Sequence, residues 1–224
     1  IIKKLVSPIL SNFLSKYIEN INLDELKLSL FSGNLSLDNL FIKPNCLLEH
    51  QIPIKIIHGT IKRIGCSIPY MNLKTNPSVF EIENIFILGK FSDNSGIFSH
   101  VQSDEFQNFN LGLEQQHISQ TDFKNGLFES ILENMQVKIT NIHIRIEHEI
   151  DKQTVSLGVI IPQIQISTTD ENGNPIQQNT SKSKIYKQLS LTNLSIYIDT
   201  NNSLNGITPD QFNDAMMNSI NDKN

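Results

Sequence analysis

LSLDNLFI, residues 35–42, alternates apolar and polar side chains, slips by one position at Asn39, and then alternates again. FEIENIFI at 80–87, VKITNIHI at 137–144 and LSLTNLSI at 189–196 carry the same slip, and VIIPQIQI at 159–166 repeats it with Gln163 in place of Asn. A period of two marks a strand with one apolar face. A one-residue slip should throw Leu40 and Ile42 onto the face opposite Leu35 and Leu37. A β-bulge removes the contradiction, because one extra residue on one strand returns both pairs to a single face and bends the strand. Bulges are therefore expected near Asn39, Asn84, Asn141 and Asn193, where Asn tolerates unusual backbone angles. Several bulges at mid-strand bend a whole sheet about one line and make it a trough. On pattern alone, a bulged barrel or a sandwich remains open.

Around these stretches the chain reads as mainly β with a few helices. Residues 1–20 space Ile2, Leu5, Val6, Ile9, Leu10, Phe13, Leu14, Tyr17 and Ile18 as one wide face of an amphipathic helix, with Pro8 inside the pattern. ELKLSLFSG and NLSLDNLFIK suggest a hairpin through Ser32, Gly33 and Asn34. Residues 44–49 suggest a short helical turn. IPIKIIHG, TIKRIGCSIP and SVFEIENIFILGKF continue as strands, the first two joined at His58-Gly59, giving about five strands by residue 90. Residues 92–122 are polar and read as a flexible loop. FKNGLFESILENM reads as a helix, followed by three long strands, QVKITNIHIRIEHE, TVSLGVIIPQIQIST and YKQLSLTNLSIYID. The expected organisation is 1–91 (helix plus strands), the loop 92–122, 123–200 (helix plus strands of the same sheet), and a polar tail 201–224 with a short helix after Pro209.

Roughly eight strands each offer an apolar face, while two convincing helices are available to cover them. A strongly bent antiparallel sheet, open on its concave side and capped by the N-terminal helix, would leave a hydrophobic groove without a protein partner, and exposed apolar area on that scale marks a binding surface. At about 4.8 Å per strand such a floor would run near 40 Å.

The chain has 224 residues, net charge −5, 38% hydrophobic residues and no Trp. That balance speaks against nucleic acid, which needs clustered Lys and Arg; Lys3, Lys4 and Lys16, and Lys55, Lys62 and Arg63, read as solvated faces. Cys46 and Cys66 read as structural thiols of a reducing compartment. No run of 18 apolar residues and no signal peptide is present, and the chain opens on Ile1 and closes on polar residues, as a cytosolic fragment would. The densest titratable cluster, HIRIEHE at 143–149, places His143, Arg145, Glu147 and Glu149 on the polar face of a strand, which reads as a solvated, ion-paired face. GxSxG, GxxxxGK[ST], HExxH and CxxC are all absent, so neither an enzyme nor a metal or other cofactor is expected.

YIENINLDELKLSLFSGNLSLDNLFIK resembles the opening of the chorein domain, which begins the vacuolar-protein-sorting-thirteen family of bridge-like lipid transfer proteins. IPIKIIHGTIKRIGCSIPYMNL continues the likeness through Pro53, Gly59, Ile61 and Ile68-Pro69, with Tyr70 where the family usually has Trp. ENMQVKITNIHIRIE and TVSLGVIIPQIQISTTD follow in order, so that the resemblance covers most of residues 2–200. It implies the capped end of a long gutter whose floor carries glycerophospholipids, with weak headgroup selectivity, between membranes at contact sites. The N-terminal end would meet a membrane surface, usually the endoplasmic reticulum, where membrane-protein partners are possible; the protein itself would be cytoplasmic and peripheral. Under this reading the groove is lined by Leu26, Leu28, Leu30, Leu35, Leu37, Leu40 and Ile42; by Ile54, Ile56, Ile61 and Ile64; by Phe80, Ile82, Ile85 and Ile87; by Val137, Ile139, Ile142 and Ile144; by Val159, Ile161, Ile164 and Ile166; and by Leu189, Leu191, Leu194 and Ile196. The rivals are a self-buried β sandwich that binds proteins and a closed lipid-binding barrel.

Overall fold

A computed structural model describes residues 11–92, 133–176, 184–200 and 202–222, apart from Phe13, Asn20, Leu23, Glu25, Lys27, Leu28, Leu30, Phe31, Gln51 and 73–75. The expected roles of Leu10, Phe13, Leu28 and Leu30, and nearly all of the loop at 92–122 and the helix from residue 123, lie outside the described residues. Helix α1 takes in residues 11, 12 and 14–17. The strands are β1 (Asn34–Phe41), β2 (Ile54–Ser67), β3 (Val79–Phe91), β4 (Gln136–Ile150), β5 (Gln153–Thr169), β6 (Tyr186–Thr192) and β7 (Ser195–Thr200), followed by helix α2 (Pro209–Asp222). They form one open sheet in the order β1-β2-β3-β4-β5-β6, with β7 continuing beside β5.

β1-β2-β3 is an antiparallel meander, and β4-β5 with β6 and β7 is a second one of the same layout. β3 and β4 join them as a parallel pair. Parallel neighbours need a crossover of a dozen residues or more, and the long connection from 92 to 135 supplies it.

The repeated slip is real, but it is not a set of bulges. Across β1 and β2 the pairs Asp38↔Arg63 and Leu40↔Ile61 flank the slip with no extra residue on either strand. The same holds for Glu83↔Thr140 and Ile85↔Ile142, and for Thr140↔Gln163 and Ile142↔Ile161. What happens instead is a matched change of backbone. Asn39, Asn84, Asn141 and Asn193 all adopt positive φ, between 52° and 56°. Asn is among the few non-glycine residues that enter this left-handed region readily. The four lie on one line across the sheet, which β2 crosses at Lys62 and β5 at Pro162 without a positive φ. Neighbouring strands change pleat phase together, so the ladder stays in register. Asn141 Nδ2 donates to Asn84 Oδ1 at 2.9 Å along this line. Pro162, which has no N–H for a ladder, sits where pairing is interrupted anyway.

Other expectations change as well. The first hairpin strand is absent: every described residue from Asp24 to Ser32 is helical. Leu23, Leu26 and Leu30 also stand at i, i+3 and i+7, so the stretch satisfies both periods and packing decides; Leu26 is fully buried. Gly33, at φ +93°, follows this turn where a Cβ would stand 2.6 Å from the Ile68 carbonyl oxygen. IPIKIIHG and TIKRIGCSIP are one strand, β2, with a register shift between Ile56 and His58. Gly59 makes no turn there; a Cβ on it would lie 2.8 Å from that of Ile42, so the glycine admits a close neighbour. The expected long strand at 186–199 divides into β6 and β7 at Asn193-Leu194. The 3-10 turn at Leu48–His50 agrees with the helical turn expected there.

Two clusters hold the two faces. On one, Leu14 of α1, Ile18 just after it and the helical Leu26 pack with Leu35, Ile61, Ile64, Cys66, Ile68 and Tyr70. On the other, Phe212, Met216 and Ile220 of α2 pack on Phe86, Leu88 and Ile160. The polar tail expected at 201–224 thus contains a docked helix. Its start is a capping box in which Thr208 Oγ1 accepts from the Gln211 N–H and Gln211 Oε1 accepts from the Thr208 N–H.

Replacing Asn141 by Val, a β-branched residue at positive φ, is expected to cost about 2–3 kcal/mol in urea unfolding, and replacement by Gly about 1 kcal/mol or less. Equal losses would show that the backbone conformation is not what Asn141 supplies. A second expectation concerns pH. Burial pushes the Cys66 thiol from 9.0 up to about 12. Burial, and secondarily Cys66, raises the Tyr70 phenol from 10.0 to about 12. Both keep their protons in the folded chain where the unfolded chain loses them, so their contribution is complete below pH 9 and falls as pH rises toward 12. The urea midpoint should drop between pH 9 and 12, and the drop should be shallower in Cys66→Val.

Candidate functional site

The matched phase change gathers the apolar side chains into rows that run across the strands. Leu35, Cys66, Phe80, Val137, Ile166 and Leu189 form one such row by direct pairing, and Leu37, Ile64, Ile82, Ile139, Ile164 and Leu191 form the next. Beyond the asparagine line the rows resume. Leu40, Ile61, Ile85, Ile142 and Ile161 make a third, with Leu194 reached by unbroken register. A fourth takes Ile87, Ile144, Val159 and Ile196, with Ile42 lying against Gly59 at its β2 end. Ile56, Gly89, Ile146, Leu157 and Ile198 extend the face further, and Ile54 lies over Gly89. No row contains a charged side chain.

Among the described residues, the face is covered at one end and open at the other. Under α1 and the turn carrying Leu26, the residues Leu35, Ile61, Ile64 and Cys66 are buried, and Leu37, Leu40, Ile42, Phe80, Ile82 and Ile85 are partly buried against the same cluster. Leu26 therefore belongs to the cover and not to the floor. α1 is tied down by backbone bonds from the Glu19 N–H to Phe41 O (2.8 Å) and from the Lys43 N–H to Tyr17 O (2.9 Å), and Lys43 Nζ donates to Ser15 O at 2.6 Å. In β4 and β5, Val137, Ile139, Ile144, Val159, Ile161, Ile164 and Ile166 are half-buried, and Ile142 is buried. At the far edge Leu189, Leu191, Leu194, Ile196 and Ile198 are between 51% and 74% exposed. Exposure on this face is greatest at β6 and β7.

The reverse face differs from expectation. His143, Arg145 and Glu147 are 0%, 3% and 6% exposed rather than solvated, while Glu149 is exposed. The cover is α2 and the segment before it. The Met216 carbonyl can only accept, so His143 Nδ1 donates to it (3.0 Å) and Nε2 accepts from the Tyr197 hydroxyl (2.7 Å). Arg145 Nε donates to Glu147 Oε1 at 2.9 Å, and a second guanidinium nitrogen reaches Tyr197 and Asp199. Burial disfavours the Arg145 charge, yet the bonds to Tyr197 and Glu147 outweigh it and hold the pKa above its usual value. Burial raises the Tyr197 phenol despite the nearby Arg145. Every group here is committed to another, as in a structural network. The signal that could have found it was the capping box TPDQ with Phe212, Met216 and Ile220 at helical spacing.

A cleft of about 390 Å³ lies beside α2, lined by Asn39, Lys62, Asn84, Asn213 and Asp214 among others. Its lining mixes these polar groups with Phe41, Phe86 and Met217, and α2 forms one of its walls, so it is not the continuation of the apolar rows. Among the described residues no cluster of His, Cys, Asp or Glu could hold a metal ion, and no helix is long and apolar enough to cross a membrane.

The family model described as the VPS13-like family N-terminal region matches residues 1–224. Among curated proteins, the chain is 29% identical over 92% of its length to the intermembrane lipid transfer protein vps13B of Dictyostelium discoideum, and 30% identical over 94% to vps13A of the same organism. It is 27% identical over 91% of its length to the intermembrane lipid transfer protein VPS13C of Homo sapiens. The chain spans only 4% to 7% of the length of these relatives. The chain belongs to the VPS13-like family and corresponds to its N-terminal region.

Proposed function

We propose that the open part of the apolar face, from β4 to β7, holds the acyl chains of glycerophospholipids and passes them along the strand-to-strand direction. The observation that carries this reading is the set of charge-free rows whose exposure rises from the capped end to the free edge. Water leaving apolar surface returns roughly 25 cal/mol per Å², so tails settle there without a hydrogen bond to fix them. The rows offer no charge to a headgroup, which favours weak headgroup selectivity. The relatives named as intermembrane lipid transfer proteins support transfer between membranes, with this region as one end of the path.

The floor is shorter than the sequence pattern suggests. Six strand positions make five steps, roughly 24 Å, and the first three strands lie largely under the N-terminal cover. Few lipids fit on this chain alone. The end bearing α1, with Lys16 and Lys43 near it, is the side we assign to a membrane surface at a contact site, the endoplasmic reticulum by family, with the protein cytoplasmic and peripheral.

The test is native mass spectrometry with lipid extraction on the chain and on a variant carrying Ile164→Glu, Leu191→Glu and Leu194→Asp. Charges there keep their hydration and bar tails. The variant is expected to melt as the parent does, because these side chains are half-exposed or exposed, and to lose its lipid. Lipid kept by a folded variant overturns the reading, and an unfolded variant favours the sandwich with a closed core.

A further inference from the structure

β7 is an edge strand whose apolar face has little cover, since Ile196 and Ile198 are 67% and 74% exposed. Packing on that face cannot be what keeps it flat against β5. Besides the antiparallel ladder to β5, its other face ties it down. Tyr197 pairs with Gly158 of β5, and Gly158 pairs with Arg145 of β4. A Cβ on Gly158 would stand 2.0 Å from the Tyr197 ring, so the ring lies across the space the glycine leaves. Through that gap the Tyr197 hydroxyl reaches two strands over, to Arg145 (3.4 Å) and His143 (2.7 Å). The next row repeats the device. Asp199 pairs with the small Ser156, which pairs with Glu147, and the Asp199 carboxylate reaches Arg145 at 3.3 Å. Ser156 Oγ donates to the Asp199 carbonyl oxygen at 3.3 Å. Beyond β7, Arg145 also donates to the Asn202 carbonyl, while Glu147 accepts from Ser203 Oγ (2.7 Å) and from the Leu204 N–H (2.8 Å).

We infer that Arg145 and Tyr197 are positioning residues for the open end of the apolar floor: a bracket thrown over β5 on the reverse face holds β7 in place, so that its uncovered side can be left to lipid. This rests on the lipid reading for the role of the floor, and on the geometry alone for the bracket. The buried fork of Arg145 explains why so many bonds converge on one side chain. A guanidinium has five donors in a rigid plane and can serve Glu147, Tyr197, Asp199 and Asn202 at once, which an ammonium cannot. A strand held in this way needs no apolar partner on its other side.

The experiment compares the chain with Tyr197→Phe, which keeps the ring over Gly158, with Arg145→Lys, which keeps the charge, and with Phe212→Leu. The last loosens α2, against whose cluster the Tyr197 ring packs, without removing any hydrogen bond of the bracket. Hydrogen exchange is read at β6 and β7, and lipid per chain by native mass spectrometry. In Tyr197→Phe and Arg145→Lys, amide exchange over 195–200 should rise roughly tenfold, with that over 186–192 unchanged, and retained lipid should fall by half or more. Phe212→Leu should lower the melting temperature and leave lipid per chain at the parent level. Unchanged protection of β7 in Tyr197→Phe overturns the bracket, and so does a loss of lipid in Phe212→Leu equal to that in the bracket variants. A frayed β7 with full lipid removes its role in the floor. If the parent chain carries no lipid, the function proposed above fails, whereas the exchange measurement still decides whether the bracket holds the strand. Should Arg145→Lys fail to fold, Tyr197→Phe decides alone.

Discussion

One face of this sheet stays apolar from the first strand to the last only because every strand changes pleat phase at the same height. Side chains alternate with a period of two, so a phase change in one strand alone would set its outer half against its neighbours. Asn39, Asn84, Asn141 and Asn193 make the change by entering the left-handed region, and the pairing on either side of them continues without an added residue. The rows of Leu and Ile and the place at which Pro162 is tolerated both follow from that alignment.

The two faces are then treated in opposite ways. Polar residues of β4 that could have faced water are buried under α2 in a network in which Arg145, Glu147, Tyr197 and Asp199 satisfy one another. Apolar residues that could have been buried are left open at β6 and β7. Burying charge is costly unless it is fully paired, and exposing Leu and Ile forgoes hydrophobic stabilisation, so neither choice is explained by stability alone. The VPS13-like family, whose members include proteins far longer than this chain, gives the open face a reason within the proposed role in lipid transfer.

Much of the architecture was legible in the residues. The slip repeated at five stretches located the strands, their shared apolar face and the line on which they change phase, because periodicity reports which side of a strand must be dry. The mechanism at that line was not legible. An extra residue and a left-handed residue produce the same text, and only pairing between strands distinguishes them. Residues 24–32 were misread for a related reason: their leucines fit both a period of two and a helical period, and the docking of Leu26 decided. HIRIEHE was misread because the cover over His143 and Arg145 comes from α2, a long way down the chain and weakly marked among polar residues. The apolar side of each strand was the easiest to read, since the same alternation that makes a strand names it; how much of that side α1 covers depended on tertiary packing.

The asparagine line also acts as a key for assembly. Two strands that meet one residue out of register would set an apolar row against a polar one on both faces together, and between β3 and β4 the slip would also break the Asn84–Asn141 bond. The penalty for a slip is thus levied on every strand pair separately, at the same height each time. Errors made in adding one strand are exposed before the next arrives, and an open sheet built in this way can be lengthened strand by strand without its alignment drifting.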